Sequence, residues 1–141
     1  DSKDLYRWSE DGNGAIQLKN SIESIKWNEY SKRVLCGFSA GCNVILNALA
    51  MQKVQCEQII LVSPWIPIVN DIGKKIINYL LDNKIKVLFI CGQLDEDCKQ
   101  FKPFVDSATS LGVYIHSIWI NNLGHEFPEN FSEIIKRNID N

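Results

Sequence analysis

The sequence predicts an α/β fold, a mostly parallel sheet with helices on both faces. Three observations lead there. Four short apolar runs alternate with segments of helical period. The runs are nearly continuous in Val, Ile and Leu, as strands buried on both faces are. Reactive side chains recur just past the ends of these runs, where open parallel sheets bind their ligands.

The elements follow in order. Residues 1–13 are polar and read as irregular chain, with Asp11-Gly12-Asn13-Gly14 as a turn signal. Ala15 to Glu29 reads as a helix, because Leu18, Ile22 and Ile25 share one face. Arg33 to Phe38 reads as a buried strand, and Ala40 to Gln52 as an apolar helix. Gln58 to Val62 is a continuous apolar strand ending in the stiff loop Ser63-Pro64-Trp65-Ile66-Pro67. Ile72 to Leu81 is helical, and Lys84 to Cys91 is a strand closed by Gly92. Cys98 to Leu111 is a helix stopped by Gly112, the residue that tolerates a left-handed C-terminal position. Val113 to Ile120 is a strand, and Pro128 to Asn138 a last helix with proline in its first turn. Crossovers between such strands are right-handed. No internal repeat, low-complexity segment or linker interrupts the pattern, so the 141 residues fit one domain.

Composition narrows the function classes. Hydrophobic residues make up 45% and charged residues 23%, ordinary for a globular protein. A net charge of −2 points to neither nucleic acid nor an anionic membrane. The longest apolar stretch, Gln58 to Val69, is broken by Ser63, Pro64 and Pro67, so no membrane span is expected. No signal-peptide pattern opens the chain. The five cysteines are odd in number and form no C-x-x-C, which favours a reducing, cytoplasmic setting. Cys36 and Cys91 are expected to be buried in strands as small hydrophobes. The two histidines lie far in sequence from any cysteine pair, so no metal or organic cofactor is expected.

The motif that carries chemistry is Gly37-Phe38-Ser39-Ala40-Gly41, set between a strand and a helix. This is the G-x-S-x-G arrangement, in which a sharp turn lifts a serine hydroxyl above the sheet. Glycine beside it admits a close neighbour that a Cβ would exclude. A serine is a weak nucleophile until a base takes its proton, and a histidine held by a carboxylate does so near neutral pH. Past the third strand, Asp95, Glu96 and Asp97 compete for the acid; Asp95 stands nearest the strand end, and Asp97 suits a helix N-cap. Past the fourth strand lies His125, whereas His116 falls inside a strand. Ser39, Asp95 and His125 thus occur in the chain order serine, acid, histidine. The backbone N–H of Ala40, at a helix N-terminus, is the candidate oxyanion donor. Trp65 and Ile66 are candidates to line an apolar acyl pocket, with Tyr6 and Trp8 as weaker ones.

Three segments, Gly37 to Gly41, Gly92-Gln93-Leu94-Asp95 and Gly124-His125-Glu126-Phe127-Pro128, make the chain resemble the C-terminal portion of an α/β-hydrolase. It most resembles the phospholipase/carboxylesterase group, which includes acyl-protein thioesterases, and dienelactone-hydrolase-like esterases. The resemblance implies a serine hydrolase that cleaves small carboxylic esters or thioesters, with Ser39 as nucleophile, Asp95 as acid and His125 as base. Dienelactone hydrolases proper carry a cysteine at the position of Ser39. A prolyl-oligopeptidase-type serine peptidase shares the fold and triad, and a non-catalytic binding protein of the same fold is a further class. In the resembling families, strands and a second oxyanion donor precede the elbow, and this sequence holds neither. The elbow strand is therefore expected to be an apolar edge. Completion by a missing amino-terminal segment, or by another polypeptide such as a second copy in a homodimer, is expected to cover it.

Overall fold

A computed structural model of the chain describes residues 13–139. Its order is α1 (Asn13–Glu23), a 3-10 turn (Trp27–Glu29), β1 (Val34–Phe38), α2 (Ala40–Ala50), β2 (Gln58–Val62) and α3 (Val69–Asp82). Then follow β3 (Lys86–Gly92), α4 (Glu96–Lys99), α5 (Lys102–Ser110), β4 (Ile115–Ile120) and α6 (Phe131–Asn138). The turn signal at Asp11-Gly12 and the aromatics Tyr6 and Trp8 lie outside the described residues.

The four strands form one parallel sheet in the order β1-β2-β3-β4. Strand order equal to chain order, with crossovers of one hand, places every crossover helix on the same face. The packing follows. Ile59, Leu61, Val87, Phe89 and Cys91 point into a large core with Leu46 and Leu49 of α2, Ile76 and Leu80 of α3, and Val105 of α5. Their alternates Ile60, Val62, Leu88 and Ile90 face the other way, onto Ile134 of α6. β2 and β3 are covered on both sides, which explains their unbroken apolar sequence. Both faces carry helices, as expected, but unequally.

The register aligns the carboxyl ends: Phe38 pairs with Val62, Val62 with Ile90, and Ile90 with Ile118. The ladder continues one residue further, through Ser39 N–H to Val62 O (3.0 Å), Ser63 N–H to Ile90 O (2.8 Å) and Gln93 N–H to Ile120 O (2.8 Å). The loops that follow the strands are thereby fixed to one rim. At the opposite rim the Arg33 guanidinium grips Glu57 through two bonds of 3.0 and 2.7 Å, tying the start of β1 to β2.

Several expectations are corrected. α1 stops at Glu23, because Lys26 turns left-handed (φ 55°) and Ile25 is exposed rather than on the core face. Helix 98–111 is two helices, since Pro103 cannot donate within a continuing helix and instead sits in the first turn of α5. α3 begins earlier than expected, at Val69, with a kink at Ile72. Pro128 precedes α6, its carbonyl receiving Phe131 N–H at 3.2 Å. Cys36 is exposed, because β1 is an edge strand among the described residues. A shallow apolar groove of about 210 Å³ runs along that edge, lined by Leu18, Leu35, Phe38, Val44 and Ile45. Cys91 is not a free thiol but is joined to Cys98 in a disulfide. The odd count of five therefore resolves into one pair and three free thiols, and it carries no argument for a reducing compartment. No helix among the described residues is long and apolar enough to cross a membrane.

Candidate active site

The site is built by the carboxyl rim of the sheet. β1 delivers Ser39 directly onto the first turn of α2, and the abrupt change of direction forces it to φ 54°, ψ −120°. A side chain with a Cβ takes up that region only at a cost, of the kind that gathers at functional sites. The elbow is tight. A Cβ on Gly37 would meet Ile45 Cδ1 at 2.9 Å and the Cys42 amide nitrogen at 3.0 Å, so the motif's first glycine is a requirement of packing. The Ala40 N–H belongs to the first turn of α2, where a helix has no carbonyl of its own to receive it.

β3 delivers Asp95 through a tight loop. Its backbone N–H returns to Gly92 O (3.1 Å), and its side chain is 1% exposed. Carboxylate Oδ1 accepts the Cys98 N–H at 3.1 Å and so caps α4. This corrects the expectation that Asp97 is the cap. Asp97 is an exposed residue within α4 whose carboxylate also lies near His125. Beyond β4, Asn122 takes a left-handed turn (φ 60°), and the chain comes back to place His125 over the rim. Gly92 makes this approach feasible. A Cβ there would overlap the Leu123 carbonyl, while Leu94 N–H bonds that same carbonyl at 2.9 Å.

These three side chains meet. His125 Nδ1 lies 2.9 Å from Asp95 Oδ2, and His125 Nε2 lies 2.7 Å from Ser39 Oγ. An ionised carboxylate only accepts, so the tautomer protonated at Nδ1 satisfies both contacts, with Nε2 receiving the serine proton. The imidazole is one-third exposed and the aspartate buried. The ring is thus open to solvent on part of its surface while the carboxylate stays out of water. Phe38 stands 5.3 Å from the imidazole and stacks on Phe127 at 4.9 Å, bracing the ring from the side. Cys36, the exposed free cysteine of β1, has its thiol pushed up by partial burial. Burial pushes the Cys42 thiol well up and the Cys56 thiol up to about 12, so neither is a thiolate at neutral pH.

The other sequence-derived candidates separate. Trp65 is 40% exposed beside the elbow, its N–H bonded to Ser39 O at 3.1 Å. Ile66 is fully buried in the large core and offers no face to a ligand, which corrects its assignment to a pocket. His116 is exposed on β4, paired with Leu88 at the far end of the strands, away from Ser39. Sequence reasoning missed Gly92 as a contact glycine, Phe38 and Phe127 as braces, and Ser63, the buried residue that follows β2. Position alone could have found Ser63, since it stands just past a strand end like the other three loops.

No protein-family profile matches the chain, and no curated protein does. Solved structures do. An uncharacterized protein from Bacillus cereus is 26% identical with a TM-score of 0.84, covering 95% of this chain and 46% of its own. Esterase PE8 is 18% identical with a TM-score of 0.65, over 95% of this chain and 65% of its own. A Bacillus cereus carboxylesterase is 17% identical with a TM-score of 0.59, over 94% and 65%. The chain thus spans from about half to just under two-thirds of the length of these relatives.

Proposed function

We propose that this chain, which has an α/β-hydrolase fold, carries the catalytic side chains of a serine hydrolase acting on carboxylic esters or thioesters. The observation that supports this most is the continuous contact from Ser39 Oγ through the His125 ring to Asp95 Oδ2, assembled from the ends of three strands. In this reading Ser39 Oγ attacks the acyl carbonyl as its proton passes to His125 Nε2. Asp95 holds the Nδ1–H and stabilises the imidazolium. The charge that develops on the carbonyl oxygen is met by the Ala40 N–H and the positive end of α2. Imidazolium then protonates the leaving alcohol or thiol, and an acyl-serine remains. Water, deprotonated by His125, attacks the acyl-serine and releases the acid. Trp65 and Phe127, each half exposed at this rim, offer apolar surface for the acyl chain.

The test uses the complete natural protein that contains these residues and p-nitrophenyl acyl esters. Ser39→Ala and His125→Ala should each lower kcat by about 10³-fold or more, with KM little changed. Wild-type turnover in the Ser39→Ala protein would end the proposal.

A further inference from the structure

Ser63 is the buried polar residue of the rim that the proposed chemistry leaves unused. It is 1% exposed and, besides Gln58 and Asp95, the only buried polar or charged residue among those described. It follows five buried residues of β2 and takes φ 44°, a region unfavourable to any side chain with a Cβ. Its N–H bonds Ile90 O on β3 (2.8 Å), which locks the backbone in place. Its hydroxyl donates to Glu126 O at 3.2 Å. Glu126 is the residue after His125. Two residues further on, Trp65 N–H holds the carbonyl of Ser39. The stretch 63–65 therefore touches the backbone at the nucleophile and again beside the base.

A buried hydroxyl needs a partner, and an apolar residue would fill this place at less cost if filling were its whole purpose. Glycine would relieve the positive φ. That a serine stands here despite both penalties calls for a gain elsewhere. The geometry points to Ser63 as a positioning residue that pins the loop 121–126 from β2 and sets the separation between His125 Nε2 and Ser39 Oγ. The inference rests on the hydrolase reading above. Without the hydroxyl, the Glu126 carbonyl loses its partner on β2, and the backbone bond left between this loop and the rim is Leu94 N–H on Leu123 O. The imidazole then spends much of its time displaced from the serine.

The test compares wild type, Ser63→Ala and Ser63→Gly in the complete protein, with active sites counted by fluorophosphonate titration. Both variants should lose kcat by about tenfold at unchanged KM, since a small misplacement of reacting groups acts on the chemical step. Ser63→Gly should do so with a thermal midpoint equal to or above wild type, because glycine accepts φ 44° freely. A purely structural residue cannot give lower turnover together with equal or higher stability. A kcat per titrated site within twofold of wild type in Ser63→Gly overturns the inference, as does a loss of kcat that tracks a falling midpoint. Should Ser39→Ala keep full turnover, the hydrolase reading itself fails and the inference with it. If Ser39 is required and Ser63→Gly is silent, only the inference fails.

Discussion

Replacing Gly92 with alanine should break the site without touching any group that reacts. The added Cβ would sit inside the Leu123 carbonyl, 2.6 Å from its carbon, and 2.8 Å from Gly124 O. These are backbone atoms, so no rotamer change relieves the overlap. The loop must withdraw by roughly 1 Å, and it takes the Leu94 N–H to Leu123 O bond with it. Overpacking of this kind costs about 1–3 kcal/mol. The lost hydrogen bond adds about 1 kcal/mol, for a total of about 2–4 kcal/mol. His125 rides on the same loop, and its Nδ1 contact to Asp95 at 2.9 Å would open by a similar distance. A misplacement of that size lowers turnover about 100-fold. Urea unfolding measures the first effect, and ester turnover per folded protein measures the second. A Gly92→Ala protein within about 0.5 kcal/mol of wild type and within twofold in kcat would refute the claim that the acid and histidine loops touch at this glycine.

Two further outcomes follow from contacts away from the reacting groups. The hydrogen bonds from Arg33 hold the Glu57 carboxyl below its ordinary range, against a smaller opposing effect of burial. A depressed folded-state pKa gives stability that is present above the unfolded carboxylate value, about 4.3, and is lost as pH falls through the folded value. Glu57→Gln should therefore cost about 0.5–1 kcal/mol at neutral pH, as a partly exposed ion pair does, and the difference from wild type should vanish in acid; an equal gap in urea midpoints at pH 7 and pH 3 would contradict this. The Cys91–Cys98 disulfide closes a short loop around Asp95, with a sequence separation of 7. Reduction by a dithiol, or Cys98→Ser, should lower stability by about 2 kcal/mol in the chain-entropy account. Five reactive thiols in the denatured, unreduced protein, rather than three, would show the pair is not formed.

Much of this architecture was legible because it is written locally. Continuous apolar runs marked β2 and β3, and each candidate catalytic side chain sits within a few residues of a strand end, so alternation and proximity found them together. What escaped depends on neighbours distant in sequence. Ile66 reads as an exposed loop residue between two prolines, yet the loop folds its side chain into the core. Cys36 reads as buried from its apolar run and is exposed because strand order, which no local pattern encodes, puts β1 at an edge. Asp95 does two things at once, since one carboxylate oxygen caps α4 and the other meets His125. Propensity assigns those roles to separate residues. The need for glycine at position 92 arises from Leu123, thirty-one residues on, and only a folded chain brings them together.

In the proposed reaction Ser39 is nucleophilic only because His125 takes its proton. The most direct measurement is exposure of the complete protein to an alkyl fluorophosphonate, followed by digestion and peptide mass spectrometry. The adduct should lie on Ser39 in the wild type and be absent when His125 is alanine. An unlabelled protein, or a Ser39 that reacts equally fast without the imidazole, would contradict it.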